Sequence, residues 1–158
     1  MTKPYITIKH LILEGIAYAL IVANLIFGFI FAATRDGEIA INYNGSTPTE
    51  YGSPYTLLYL PAIFGGLNIL ISLIMHFAPA QMLNLPFKIN PGRENAVLYF
   101  ATLMMPTEMI IMSAWALAFT VVWAMGYGAL MVPMSIVLVF ILVPTAIVFT
   151  ILAYKHNR

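Results

Sequence analysis

Glu108 is the side chain of this sequence with the clearest capacity for chemistry, a carboxylic acid inside the apolar segment that contains MMPTEMI. A charged side chain at the centre of a bilayer costs roughly 2.5–3.5 kcal/mol on insertion scales, so it is usually protonated or paired inside a helix bundle. On a helix its face also holds apolar, deformable residues: Met104, Met105, Ile111, Met112 and Trp115. This pattern indicates either a proton-linked or cation-sensing carboxyl, or a neutral Glu hydrogen-bonded to a neighbouring helix.

Small and hydrogen-bonding residues recur at helical spacing in an earlier apolar segment: Pro61, Gly65, Asn68, Ser72 and His76. In lipid, such residues allow helices to approach closely and to hydrogen-bond across the contact. The pattern therefore favours an interhelical seam over a ligand path. If adjacent spans run antiparallel, Asn68 or Ser72 lies at the right depth to be the partner of Glu108.

Glu14 is another acid within an apolar segment, about one turn from its beginning. At this depth the side chain can extend towards water or meet Lys9 or His10, which predicts an interfacial carboxylate. Small residues also repeat every fourth position in this segment: Gly15, Ala19 and Ala23. This repeat is typical of close packing, either within one chain or between the chains of a homo-oligomer.

The sequence contains no recognisable catalytic, metal or cofactor site. Cysteine is absent, which excludes thiolate nucleophiles and thiolate metal ligands. The histidines lack the short spacing of metal-binding pairs: His10, His76 and His156. A glycine-rich phosphate loop and a serine, histidine and acid set are also missing. Because the net charge is only +1 and no basic stripe occurs, nucleic acid is not an expected partner. We therefore predict a protein that is not an enzyme.

The composition requires lipid around the elements that position these residues. Only 8% of the 158 residues are charged, 61% are hydrophobic and the mean hydropathy is +0.91. A soluble domain carries about 25% charged residues, since its surface must be hydrated. Four segments are long enough to cross a bilayer, at about 11–33, 55–77, 96–124 and 130–154. The sequence thus predicts an all-α integral membrane protein, a single domain of four helices in a bundle over residues 1–158.

The distribution of basic residues predicts the orientation of this bundle. Six basic residues flank the ends that share one side: Lys3, Lys9, Lys88, Arg93, Lys155 and Arg158. Arg35 is the single basic residue on the other side. Basic residues are enriched in cytoplasmic loops, so we expect both termini and the loop at 78–95 to be cytoplasmic. The loop at 34–54 is then outside.

The outer loop is acidic and rich in turn-forming residues, with an extended piece expected at Ile39–Tyr43. Its candidate contacts with a cationic partner are Asp36, Glu38, Asn44 and Glu50. The alternative is that this loop is simply a solvated connection between two spans.

Two stretches resemble a known family. INYNGSTPTEYGSPYTLLYLPAIFGGLNILI is similar to the opening module of SdpI-like bacterial membrane proteins, which are defined by a domain of unknown function. The residues that match are Asn44, Gly52, Ser53, Leu60 and Pro61, with Glu50 where an Asp is usual. NLPFKINPGRENAVLYFATLMM resembles the second loop of that family through Asn84, Pro86, Lys88, Ile89, Glu94, Asn95, Ala96 and Tyr99.

The resemblance covers roughly residues 11 to 112 and includes departures in the outer loop. Asn42 replaces the usual His, Pro54 replaces a Lys, and the loop is one residue short. The family includes immunity proteins that protect a bacterium from its own secreted toxic peptide and relay the presence of that peptide to a cytoplasmic repressor. The longer immunity proteins carry additional spans that this chain lacks.

The resemblance implies the bacterial plasma membrane and a non-enzymatic role. The leading hypothesis is a protein that senses or neutralises a secreted peptide, or an accessory subunit of another membrane protein. The alternative is a small proton-coupled transporter that acts as an oligomer, since four spans, an embedded carboxyl and small-residue seams suit such a device.

Overall fold

Four long helices dominate the computed structural model, which describes residues 3–158 apart from the side chain of Gln81. They are α1 (Ile8–Thr34), α2 (Tyr59–Phe77), α3 (Glu94–Ala124) and α4 (Met131–His156). Short 3-10 turns at Pro54–Leu58 and Gly128–Leu130 precede α2 and α4. Each helix, counted with its preceding turn, is long and apolar enough to cross a membrane, which confirms the prediction of four such segments.

Helix α1 begins three residues earlier than its apolar segment predicts, because polar residues start it. The backbone N–H of Thr7 donates to His10 Nδ1 at 3.1 Å, and the His10 N–H donates to the Thr7 carbonyl at 3.0 Å. These contacts occupy two backbone donors at the start of the helix. The helix therefore includes a turn that hydropathy alone assigns to the flanking segment.

Helix α3 is the centre of the assembly and packs against α1, α2 and α4. Helices α1 and α3 run parallel, since His10 meets Thr102 near one end and Gly28 lies beside Thr120 near the other. Helix α2 runs antiparallel to both. Helix α4 packs mainly against α3 and the turn that precedes it, so most of its apolar side chains are exposed. Such a surface suits lipid as the surrounding medium.

The connection between α1 and α2 is a β-hairpin, which the all-α prediction did not include. Strand β1 (Ile39–Asn44) pairs antiparallel with β2 (Thr47–Gly52) through the two-residue turn Gly45-Ser46. Gly45 has φ +61°, the region that glycine adopts readily in such turns. The extended piece expected at Ile39–Tyr43 is therefore one strand of two. We call this side of the molecule the hairpin end.

A small apolar core fixes the hairpin to the helices. Ile39 of β1, Leu57 of the turn before α2 and Ala124 at the end of α3 are buried together. Phe27, Phe31, Ile41 and Trp123 pack around them. The hairpin is thus continuous with the helical core, although its outer strand β2 is exposed along most of its length.

At the opposite side, which we call the terminal end, the last residues of the chain bind the loop between α2 and α3. Asn157 is buried, and its Oδ1 accepts from the Asn90 N–H at 2.7 Å while its Nδ2 donates to the Lys88 carbonyl at 2.8 Å. Asn90 Nδ2 in turn donates to the Asn157 carbonyl at 2.7 Å. Both described ends of the chain and this loop therefore share one side.

Asn157→Ala should lower the free energy of unfolding by about 1–2 kcal/mol, because two side-chain hydrogen bonds are lost and their backbone partners remain partly buried. Unfolding by SDS titration of the detergent-solubilised protein, followed by circular dichroism, measures this change. Arg158→Ala is the matched control, since the Arg158 side chain is exposed and its hydrogen bond and ring contact are both with Tyr154. Equal stabilities of the two variants would show that the Asn90–Asn157 contact does not hold the terminal end together.

Candidate functional site

A cluster of polar side chains joins α1 and α2 near the terminal end. His76 Nε2 lies 3.0 Å from Glu14 Oε2, and Ser72 Oγ donates to Glu14 Oε1. Tyr18 OH lies 2.8 Å from Ser72 Oγ. The prediction that Glu14 extends towards water or meets Lys9 or His10 is therefore wrong, because both carboxylate oxygens contact side chains of α2.

The helical repeat explains how this cluster forms. Glu14 and Tyr18 are four residues apart on α1, and Ser72 and His76 are four residues apart on α2, so each pair lies on one helix face. Because the two helices run antiparallel, the faces bring all four side chains to one depth. The Glu14 side chain is 13% exposed and that of His76 is 28% exposed, so the cluster lies at the edge of the packed region.

Hydrogen-bond chemistry fixes the direction of each contact in an ionised cluster. A carboxylate only accepts hydrogen bonds, so His76 Nε2 and Ser72 Oγ must both donate to Glu14. The single hydroxyl proton of Ser72 is then used, and Tyr18 must donate to Ser72. Every donor in the cluster thus points, directly or through Ser72, at the Glu14 carboxylate.

A charged side chain of the N-terminal segment also reaches the end of α2. Lys3 Nζ donates to the Met75 carbonyl at 3.0 Å and to the Ala78 carbonyl, at the end of α2. Burial of this ammonium group lowers the pKa of Lys3. A cation at a helix C-terminus complements the helix dipole. Lys3 therefore closes α2 one turn beyond Ser72 without contacting Glu14.

His10 belongs to a separate contact between α1 and α3. It is fully buried, its Nε2 lies 3.1 Å from Thr102 Oγ1, and its ring meets the edge of Tyr99 at a centroid distance of 5.3 Å. With Nδ1 occupied by Thr7, both ring nitrogens have partners. His10 is thus a satisfied packing residue of the terminal end.

Asn68 and Ser72 are not partners of Glu108, and the prediction of that pairing is wrong. Asn68 Nδ2 donates to Ser113 Oγ at 2.8 Å in the buried contact between α2 and α3. Ser113 follows Glu108 by five residues, which turns its face by about 140° from that of Glu108 at roughly 100° per residue. The prediction considered only depth in the membrane. The rotation of α3 about its axis turns Glu108 away from Asn68.

Glu108 lies on the side of α3 away from the Asn68 contact. It is partly exposed and forms no hydrogen bond within residues 3–158. It follows Met104 by four residues and Ala101 by seven, so it shares their helix face. Met104 and Ala101 line an apolar cavity of about 230 Å³ that also contacts Ile74 of α2 and Phe149 of α4. Glu108 thus lies next to the groove between α2 and α4.

The predicted stripes of small residues have different environments. Gly65 on α2 lies against Ile21 of α1, and its stripe faces the neighbouring helices, as the helical spacing predicts. The α1 stripe faces outwards, since its members are exposed: Gly15, Ala19 and Ala23. Apart from its chain neighbours and the backbone of its own helix, no described atom lies within 4 Å of a Cβ built at Gly15. The α1 stripe is therefore not used for packing inside the molecule.

At the hairpin end, β1 closes an apolar cavity of about 520 Å³ against the end of α3 and the start of α4. Its lining includes Ile41, Tyr43, Phe119, Trp123, Gly128 and Met131. Trp123 Nε1 donates to the Ala40 carbonyl at 2.7 Å and holds β1 in place. The Tyr43 hydroxyl is buried and has no hydrogen-bond partner within residues 3–158.

The outer-loop candidates, three acids and Asn44, lie on the same hairpin and in the segment that leads into it, outside the cavity lining. All four are exposed: Asp36, Glu38, Asn44 and Glu50. The one ion pair within residues 3–158 is Glu14–His76, so these acids are not neutralised by a neighbouring base. Arg35 instead lies over the Phe31 ring, 5.4 Å from its centroid. The structure does not bring these residues together with the intramembrane candidates, which lie at other depths.

Several residues of these sites were not predicted from the sequence. Tyr18 had a usable signal, because it follows Glu14 by one helical turn. Ser113 and Asn24 are polar residues in apolar segments, and Asn24 is fully buried with neither side-chain polar atom hydrogen-bonded to the described chain. Tyr43 and Trp123 resemble ordinary interfacial aromatics in the sequence. Their contact depends on the docking of the hairpin, which no local pattern encodes.

The described residues contain no group of three or more histidine or acidic side chains that could hold a metal ion. No protein-family model, curated protein or solved structure matches this chain. The resemblance to SdpI-like proteins thus stays a prediction from the motif residues given above.

Proposed function

We propose that this chain is a non-enzymatic, multi-pass protein of the bacterial plasma membrane, of SdpI-like type. In this proposal the hairpin end lies outside, and both termini are cytoplasmic. The protein senses or neutralises a secreted, cationic peptide there, in immunity or signalling, or it presents this surface as an accessory subunit to another membrane protein. The observation that carries the proposal is the 520 Å³ apolar cavity closed by β1, in a loop that also exposes three acids without a basic partner in the described chain.

The chemistry of this surface suits an amphipathic, cationic ligand. The cavity accepts apolar side chains, and the exposed acids Asp36, Glu38 and Glu50 attract basic ones. Strand β1 lines the cavity together with Trp123 of α3 and Met131 of α4, so a ligand there contacts both membrane helices. Occupancy of the hairpin end can thus bias the position of α4 relative to α3.

Immunity is tested in cells that lack this gene, challenged with the peptides that the same strain secretes. Wild-type protein should restore resistance. The triple variant Asp36→Asn, Glu38→Gln, Glu50→Gln should give about tenfold lower resistance, since three weak charge contacts together contribute about 1.4 kcal/mol. Glu94→Gln is the matched control, because this exposed acid lies at the terminal end. Unchanged sensitivity of the deletion strain would overturn the immunity role.

A second candidate is a small proton-coupled transporter that acts as an oligomer. It is supported by Glu108, a partly exposed carboxyl without a hydrogen-bond partner in the described chain, and by the outward-facing stripe at Gly15, Ala19 and Ala23. Glu108→Gln should abolish pH-driven flux in proteoliposomes. Retention of that flux, or a monomer in native-like nanodiscs, would eliminate this candidate.

A further inference from the structure

The groove between α2 and α4 continues along α3 past Glu108. Three residues of α3 share one helix face at intervals of seven: Ala101, Glu108 and Trp115. Ala101 lines the 230 Å³ cavity together with residues of α2 and α4, and Trp115 contacts both of these helices again. Glu108 lies midway between them on the same face, so it also lies between α2 and α4. We call this region, about 21 Å long at 1.5 Å per residue, the lateral groove.

The lateral groove is closed at both ends and open at its side. Trp115 packs against Phe64 of α2, with ring centroids 5.5 Å apart, and its Nε1 donates to the Met134 carbonyl of α4 at 2.8 Å. This bridge closes the groove towards the hairpin end. Residues 82–85 of the loop after α2 close the cavity towards the terminal end. Helices α2 and α4 do not pack substantially on each other in the described chain, so the groove opens sideways, and in a bilayer this opening faces lipid.

Glu108 has no counter-charge in the chain. Across residues 51–87 and 95–154, it is the one Asp, Glu, Lys or Arg of the sequence. The imidazole of α2, His76, is bound by Glu14 on the opposite side of that helix from the groove. A carboxylate in apolar surroundings needs either a proton or a positive partner. A positive partner of Glu108 therefore has to come from another molecule.

The rest of the groove determines what such a molecule looks like. The cavity beside Glu108 is lined by apolar side chains of three helices: Ile74, Ala101, Met104, Met105 and Phe149. Methionine side chains adapt to ligands of different shapes. A ligand that enters through the side opening first dissolves in lipid, where a charge is tolerated best when apolar groups surround it. An apolar body with a single, shielded positive charge matches both the lining and the entrance.

We propose that the lateral groove binds a membrane-soluble organic cation, with the positive charge at Glu108 and the apolar body in the cavity beside Met104 and Met105. The site lies on a different face of the molecule from the hairpin cavity. The inference goes beyond the proposed peptide role and does not depend on it. It also gives a ligand class to the transporter candidate, and the experiment below measures binding alone, without flux.

The test is equilibrium binding of radiolabelled tetraphenylphosphonium to the protein in nanodiscs, with the signal of empty nanodiscs subtracted. This probe partitions into lipid and carries a positive charge at every pH. The wild type should bind it saturably. Glu108→Gln should lower the affinity by at least about tenfold, because it removes the one negative charge of the groove. Glu108→Asp keeps that charge on a shorter side chain and should retain part of the affinity.

Tetraphenylborate is the matched control ligand, since it has nearly the same shape and the opposite charge, and it should show no saturable binding. Glu94→Gln is the matched control variant, because it removes an exposed acid from the start of the same helix, and the affinity should not change. Circular dichroism verifies that each variant keeps its helices.

Three results would overturn the proposal: no saturable phosphonium binding by the folded wild type, equal affinities of wild type and Glu108→Gln, or equal binding of the two ions. The triple variant of the hairpin acids should bind the phosphonium like the wild type, so loss of the immunity role leaves this site intact. Binding without flux would eliminate the transporter candidate alone.

Discussion

Gly128→Ala should destabilise the protein by about 2 kcal/mol and release the hairpin from the helices. A Cβ at this position would lie 2.6 Å from Tyr43 Cε2 and 2.7 Å from Trp123 Cδ1. The Trp123 ring cannot retreat without losing its hydrogen bond to the Ala40 carbonyl. Overpacking of this kind typically costs 1–3 kcal/mol. SDS unfolding measures the loss, and tryptophan fluorescence reports the altered surroundings of Trp123.

Gly66→Ala is the control for this experiment. Apart from its chain neighbours and the backbone of α2, no described atom lies within 4 Å of a Cβ built at Gly66, so alanine should instead stabilise the helix by about 0.5–1 kcal/mol. The two substitutions are chemically identical and should have opposite signs. If Gly128→Ala were as stable as wild type, the close approach of β1 to the start of α4 would not exist in the membrane.

Asn24→Leu should raise the free energy of unfolding by about 2 kcal/mol. Asn24 is fully buried, and both of its polar side-chain atoms lack hydrogen-bond partners within residues 3–158. Burying such a group costs about 1–3 kcal/mol, and leucine has the same number and branching of side-chain heavy atoms without that cost. The same SDS titration measures the gain.

Ser113→Ala is the comparison variant, for which we expect a decrease in the free energy of unfolding. It removes the acceptor of the Asn68 amide in the same three-helix interior, and should cost about 1 kcal/mol, close to the measured range for interhelical hydrogen bonds in membrane proteins. Should Asn24→Leu lower the stability instead, the Asn24 amide has a polar partner in the membrane, and the expectation of an unsatisfied buried amide is wrong.

Hydropathy predicted the helices well, because a helix that crosses a bilayer needs about 20 apolar residues regardless of which helices pack beside it. The extra turn at the start of α1 depends on the contact between Thr7 and His10, which hydropathy does not register. Strand β2 was missed for a related reason. Its residues are mostly polar and exposed, and it contains Pro48, so it lacks the alternating pattern by which a half-buried strand is identified.

The candidate sites were harder to predict than the helices, because each depends on the rotation of one helix against another. Asn68 and Glu108 do lie on adjacent helices, yet it is Ser113 that faces Asn68. Similarly, the stripe of small and polar residues on α2 was predicted, but the residues that contact Ser72 and His76 were not. Glu14 was predicted to extend towards water or a nearby base on its own helix, but it contacts Ser72 and His76 of α2. A single sequence carries no information about how α1 and α2 are rotated against each other.

Helix α4 is braced along its length by α3 rather than enclosed by three neighbours. Its first residue, Met131, lines the cavity beneath the hairpin, and Asn157 immediately after its last turn is bound to Asn90. The helix between them is about 39 Å long at 1.5 Å per residue. Since α3 holds one face of this helix and contacts anchor both of its ends, its remaining apolar faces are left uncovered by the described chain.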